Sequence, residues 1–345
     1  MLFPLALIGP AYQTTPVAPG AKVATAAFAI TSSKSLVGVH AICIAAAPTG
    51  DRIACGMENN SIRIIDAVTR QTVKTLEGHT RPVQAIAWSP DGRYIASGDE
   101  RAKIYVWDTK TWTRVKDISG HTKQIQWLDF NATTTQLLST GQDDDMKVWV
   151  LADTKKEKLN IPGGGANFYG GKFIGKTNDI AVATLQQGAR LYTASKTMKG
   201  WLTGHGGRGI LAVSYNPAGT RAVTAGRDND TALFDTKSSA RLGYFKGHED
   251  WVISSIFSPN GKWVVTSSSD RTVRVWNPNN FKEVLKLDNQ KAIGSPLVFT
   301  ADGKYLITVD IGDNLVIHQL NPSQGGSAAK SGATKPVRKR TKRGG

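Results

Sequence analysis

The sequence predicts an all-β chain built from seven similar units of four antiparallel strands. Three observations predict it. Gly-His pairs stand at Gly78-His79, Gly120-His121, Gly204-His205 and Gly247-His248, at spacings of 42, 84 and 43 residues. A second marker is the turn APTG, SPDG, NPAG, SPNG or TADG, whose second residue falls at Pro48, Pro90, Pro217, Pro259 and Ala301. Its gaps are 42, 127, 42 and 42, so the long gap holds two silent repeats near 132 and 174. Finally, no segment carries a convincing amphipathic helix period, whereas short apolar and β-branched runs bounded by turn residues recur throughout.

Each unit repeats one order of strands. An apolar run precedes the turn (VQAIAWS, 83–89; VISSIFS, 252–258), and small or β-branched residues follow it (YIASG, 94–98; WVVTSS, 263–268). A third run ends in an aromatic (KIYVWD, 103–108; TVRVWN, 272–277), and a weaker fourth closes the unit (RVKDIS, 114–119; EVLKLD, 283–288). The units fall at about 39–77, 78–119, 120–162, 163–203, 204–246, 247–289 and 290–320. The last is one strand short.

Gly-His near the start of a unit and Trp-Asp at the end of its third strand resemble the WD-repeat (WD40) family, over residues 39–320. The resemblance implies a single seven-bladed β-propeller closed by an N-terminal strand, which removes two open sheet edges. The expected domain spans 22–321, with KVATAAFAI inside 22–31 as the strand that completes the last blade. An apolar, Pro-rich extension (1–21) precedes it and a basic, Gly/Ser-rich tail (322–345) follows, expected to be disordered.

In the family a His, a Ser or Thr, an Asp and a Trp form a buried hydrogen-bond network within each blade. The matching positions here are His79, Ser97 and Trp107; His121, Asp143 and Trp149 with Ser139 or Thr140; His205, Thr224 and Asp228; and His248, Asp270 and Trp276 with Thr266 or Ser267. Arg101 stands where blade 2 should have Asp, with Asp99 as the substitute, and Phe234 replaces the Trp of blade 5. Ile65, Tyr192 and His318 occupy the Trp position of blades 1, 4 and 7. Because the His–Asp–Ser trio recurs at the repeat period, it reads as structural rather than catalytic.

Other motifs are weighed in the same way. GGKFIGKT (170–177) matches a phosphate-binding loop, but the strand-like NDIAVATL follows it where a helix N-terminus is needed. Cys43 and Cys55 flank a hairpin turn and read as two buried thiols, with a disulfide conceivable. DDD (143–145) reads as one network acid and two turn acids. No catalytic residue, metal ligand or cofactor is therefore expected.

The family implies a partner-binding rim, formed by the loops before the first strand and between the second and third strands. Its candidates here are Arg81, Lys123, Gln124, Gln142, Arg208, Arg227, Asp250 and Trp251. Net charge is +16, and the tail carries Lys330, Lys335, Arg338, Lys339, Arg340, Lys342 and Arg343 without an acid. Lys335 to Arg343 suit non-specific contact with nucleic acid or another anionic surface, and the run resembles a nuclear-import signal. No run of 18 apolar residues exists, so no spanning helix is expected. The resulting expectation is a non-enzymatic scaffold for a protein or peptide partner, a monomeric propeller within a complex, cytoplasmic, or nuclear in a eukaryote. A nucleic-acid- or ribosome-associated factor and a secreted or periplasmic binding protein are the alternatives.

Overall fold

The computed structural model describes residues 28–186, 188–291 and 296–321. The extension 1–21, residues 22–27 of the expected closing strand, and the basic tail lie outside the described residues. Every described regular element is a strand, and no helix occurs among the described residues.

Five blades are separate four-stranded antiparallel sheets in sequential order. Blade 2 comprises Val83–Trp88, Tyr94–Asp99, Ile104–Asp108 and Thr113–Ile118; blade 3 comprises Ile125–Phe130, Gln136–Gly141, Asp145–Val150 and Asp153–Pro162. Blades 4, 5 and 6 begin at Phe168–Ile174, Ile210–Tyr215 and Val252–Phe257. Blades 7 and 1 share one seven-stranded sheet, because a single long strand, Ile30–Ala46, serves both. Its first part pairs with Asn314–Leu320, from Ile30↔Leu320 to His40↔Asn314. Its second part pairs with Arg52–Met57, from Ala41↔Met57 to Ala46↔Ile53. Between them the register shifts, and Gly38 supplies a backbone φ of +79°, which a residue with a Cβ adopts only under strain.

The strand that completes blade 7 therefore begins at Ile30, about eight residues later than the sequence suggested. The reason is polarity. Outer strands keep one face in water, as TVKTL and TRVKDI do, and Thr31, Ser32, Ser33 and Lys34 are exposed in the same way. Phe28 instead packs edge-on to Trp263 of blade 6 and Phe299 of blade 7, with ring centroids 5.9 and 6.5 Å away.

The core is distributed between blades rather than gathered at one centre. Ile64, Leu76 and Ile62 of blade 1 meet Val83, Ile95 and Trp107 of blade 2. Leu128 and Trp149 of blade 3 pack against Ala96 and Val106 of blade 2. At the seam, Ile53, Cys55 and Met57 of blade 1 meet Tyr305, Ile307 and Ile317 of blade 7. Each fully buried Ile or Leu contributes about 1.5–3 kcal/mol, so every interface between neighbours is itself a small hydrophobic core.

The two cysteines lie on opposite faces of their sheet. Cys43 pairs with Gly56 and Cys55 with Ile44, so the pleat sends Cys43 toward blade 2 and Cys55 toward blade 7. Both are free thiols, and burial raises both pKa values, that of Cys55 to about 12. A disulfide between them is excluded by this geometry.

Candidate partner-binding rim

The repeated polar residues hold together the end of the propeller where first strands begin. In blade 3, Trp149 Nε1 donates to Ser139 Oγ (2.8 Å) and the same hydroxyl lies 2.8 Å from His121 Nε2. His121 Nδ1 lies 2.9 Å from Asp143. Since indole only donates, the hydroxyl proton goes to Nε2, and Nδ1–H then points at the carboxylate. Ser139, not Thr140, is the network residue; Thr140 donates instead to the carbonyl of Tyr169 in blade 4. Blade 6 repeats the chain through Trp276, Thr266, His248 and Asp270. Blade 5 keeps His205, Thr224 and Asp228, with Phe234 contributing no donor. Burial opposes ionisation of Asp143 and Asp270, but the hydrogen bonds they accept from His121, Thr122, His248 and Thr272 outweigh it and bring both pKa values down to about 2. The network hydroxyls are buried and each is hydrogen-bonded to its histidine.

Blade 2 reaches the same result from a different residue. Asp99 Oδ2 lies 2.9 Å from His79 Nδ1, while Ser97 joins His79 to Trp107. Asp99 sits opposite Val83, the position held by Gly141 opposite Ile125 and Gly226 opposite Ile210. A Cβ at either glycine would collide with the neighbouring imidazole and carboxylate. Asp99 fills that space from the strand, and Arg101, two residues on, turns outward and is exposed.

These networks put the loops before the first strands beside the turns between second and third strands. Gln142 N donates to the Gln124 carbonyl (2.9 Å), and their side-chain amides meet at 3.3 Å. Arg227 of blade 5 lies over the indole of Trp251 in blade 6, 4.0 Å from its centroid. Trp251 is 41% exposed, yet its backbone is clamped. Its N–H donates to Asp250 Oδ1 (2.7 Å) and its carbonyl accepts from Ser269 N (2.9 Å). Arg81, Lys123, Arg208 and Asp250 are exposed on the same rim. The rim candidates thus form local groups rather than one pocket. A cleft of about 440 Å³ lies at the opposite end, lined by Pro48, Asp51, Arg52, Asp66 and Trp88, and includes none of them. The Arg227–Trp251 stack was not legible beforehand, because its members are 24 residues apart on different blades.

The remaining motifs have structural roles. In the GKT segment, Phe168–Ile174 turns directly into Asp179–Thr184, and Thr177 Oγ1 donates to the Ile174 carbonyl. Lys172 Nζ bonds Asp129 of blade 3 at 2.6 Å, tying two blades together. Of the three consecutive acids, Asp143 serves His121, Asp144 accepts from Gly165 N, and Asp145 pairs with Lys147. Among the described residues no group of three or more His, Cys, Asp or Glu is placed to hold a metal ion.

The WD40 family profile (WD domain, G-beta repeat) matches residues 70–108, 112–150, 195–235 and 239–277. Those matches end in blades 2, 3, 5 and 6, the four with a His–Asp pair. The WD repeat-containing protein srw1 of Schizosaccharomyces pombe is 28% identical over 240 residues, 66% of this chain and 41% of that protein. Pre-mRNA-processing factor 19 of Bos taurus is 33% identical over 101 residues, 29% of this chain and 20% of that protein. Nuclear distribution protein nudF of Aspergillus niger is 25% identical over 318 residues, 84% of this chain and 60% of that protein. The aligned part of the chain spans less than two thirds of each of these relatives. With the repeat matches, the blade order and the recurring networks together, the chain is a member of the WD-repeat family and folds as a WD40-type β-propeller.

Proposed function

We propose that this protein is a non-catalytic scaffold that holds a protein or peptide partner on the propeller rim, with Trp251 as its main anchor. The observation that carries this reading is an exposed indole whose backbone is fixed on both sides and whose face meets a guanidinium. A rigid aromatic loses little conformational freedom on binding, which is why Trp and Arg dominate interface hot spots. The hydroxyl–imidazole–carboxylate groups are committed to the blades, which supports a binding role over an enzymatic one. No described helix is long and apolar enough to cross a membrane. Relatives named for pre-mRNA processing and for nuclear distribution support a place in the cytoplasm or nucleus.

The test is affinity capture by the full chain and by Trp251→Ala, with mass spectrometry and nuclease-treated controls. A hot-spot loss of about 2 kcal/mol corresponds to roughly thirty-fold weaker capture, with the melting temperature nearly unchanged. Equal capture by both proteins removes Trp251 as the anchor. A second reading rests on the basic run Lys335–Arg343. There, association would vanish with nuclease and fall steeply with salt.

A further inference from the structure

The exchange of residues in blade 2 has a consequence for the rim. Blades 3, 5 and 6 use the turn position for their network acid, at Asp143, Asp228 and Asp270. In blade 2 that position is Arg101, and the acid comes from Asp99. Asp99 is fully buried and satisfied: besides His79, its other oxygen accepts from Arg101 N and Lys103 N at 2.9 and 3.0 Å. The network is complete without the Arg101 side chain. A position that carries a structural acid in three other blades is here an exposed cation.

Its surroundings are cationic. Arg101 N and the His79 ring meet on one carboxylate, and Arg81 is two residues beyond His79. The second strand of blade 2 abuts the start of blade 3, since a Cβ at Gly98 would strike Ile125. Lys123 is two residues before Ile125. Arg81, Arg101 and Lys123 are all exposed, and none makes an ion pair with another described residue. Some cations elsewhere, such as Lys172, Lys246, Arg274 and Lys291, hold a carboxylate, and others are free in the same way. Acids share the area too, and Asp143 accepts from Thr122 N beside Lys123. Glu100 is hydrogen-bonded to Gln84, and Glu77 precedes Gly78.

We infer that Arg81, Arg101 and Lys123 form a second contact surface, on the rim of blades 2 and 3, that binds an acidic peptide segment through its carboxylates. The inference extends the scaffold reading to a site separate from Trp251. Guanidinium groups accept carboxylates in bidentate geometry, so two arginines and a lysine on a fixed base select a run of acids over an isolated one. Three exposed cations on this rim have no carboxylate partner among the described residues, on a protein of net charge +16. This suits a partner that brings the missing negative charge.

The experiment is fluorescence anisotropy of a labelled, Asp/Glu-rich twelve-residue peptide with the full chain at about physiological salt, where exposed charges beyond the Debye length of roughly 8 Å are screened. Combined Arg81→Glu, Arg101→Glu and Lys123→Glu should weaken binding at least tenfold. Combined Lys110→Glu, Lys176→Glu and Lys237→Glu, the same charge change at the opposite end, should alter it less than threefold. Equal losses in the two triple variants overturn the site, as does no loss in the first. Loss of binding to single-stranded DNA with peptide binding intact overturns the peptide assignment in favour of nucleic acid. Trp251→Ala should leave this peptide's affinity unchanged, so failure of the Trp251 anchor and failure of this surface are separately visible.

A second pair of variants tests the structural premise. Asp99→Gly alone should lower the melting temperature, by leaving His79 without its acceptor. Adding Arg101→Asp installs the blade 3 arrangement, and should restore the melting temperature while weakening the acidic peptide. No recovery in the double variant would mean that Arg101 serves the fold, and the inference falls.

Discussion

Acidification should open the propeller at one seam, and His318 is the reason. In blades 2, 3, 5 and 6 a buried histidine faces a carboxylate. His318 instead lies on the third strand of blade 7 and bonds two hydroxyls: Thr308 Oγ1 at 2.9 Å on the second strand and Ser33 Oγ at 2.7 Å on the long N-terminal strand. The nearby ionisable side chains are engaged elsewhere or point to water. Asp310 takes hydrogen bonds from Ser35 and Asn314, and Lys34 is exposed. At 3% exposure His318 has no carboxylate to compensate a proton, and desolvation lowers its pKa from 6.5 to about 4. The folded state therefore binds this proton less readily than the unfolded state. Stability is full above 6.5 and falls as pH drops through the window down to about 4. At 1.36 kcal/mol per unit, the full window corresponds to roughly 3 kcal/mol. The network acids Asp143 and Asp270 contribute below this window, since their depressed pKa values take effect only between 3.8 and about 2. The assay is urea unfolding of the wild type and His318→Gln at several pH values from 7.5 to 4.5, read by tryptophan fluorescence. The glutamine keeps a donor and an acceptor but does not titrate, so the wild type should lose roughly 2–3 kcal/mol more than the variant on this descent. Hydrogen exchange should show residues 30–36 and 314–320 losing protection before the other blades. Parallel stability curves for the two proteins would refute the reasoning. His248, whose pKa desolvation also lowers, titrates in both proteins and cancels.

Two further predictions concern the blades. Trp149→Phe keeps the ring but removes the N–H that Ser139 accepts, and should cost about 1–2 kcal/mol by urea unfolding at neutral pH. No change would mean that the indole contributes packing alone. Cys43 and Cys55 should resist a thiol reagent in the native protein, give two free thiols in denaturant, and leave the melting temperature independent of reductant. An oxidised pair in the purified native protein would contradict the strand register.

What the sequence revealed, and what it hid, follows from the range of each interaction. The repeat was visible because a tight turn and a buried His–Asp pair demand the same few residue types each time. Even the irregular blade 2 was partly visible: an arginine at an acid position, with Asp99 two residues earlier, already offered a substitute. The closing strand was misplaced because outer strands are half-solvated, and ITSSKSL carries little of the apolar signal that marks an inner one. The cysteine faces could not be read from their spacing about the turn, because the register shifts between Ala41 and Cys43 and so reverses the side from which Cys43 projects. Contacts between blades left no local trace. Ser33 and His318 are 285 residues apart, and nothing in either neighbourhood signals the other.

The same reasoning separates structural from functional residues in a repeat protein without reference to any relative. A residue type that recurs with the period answers a demand every blade makes, and its side chain is committed inward. A departure at such a position has two outcomes. Where the demand goes unmet, as at Phe234, the blade lacks a donor. Where another residue meets the demand, as Asp99 does for His79, the original position is released and its side chain faces solvent. Only the second outcome frees a site for recognition. Arg101 follows from it directly, and Trp251 from its converse: an exposed aromatic at a position outside the network, held rigid by the backbone hydrogen bonds around it.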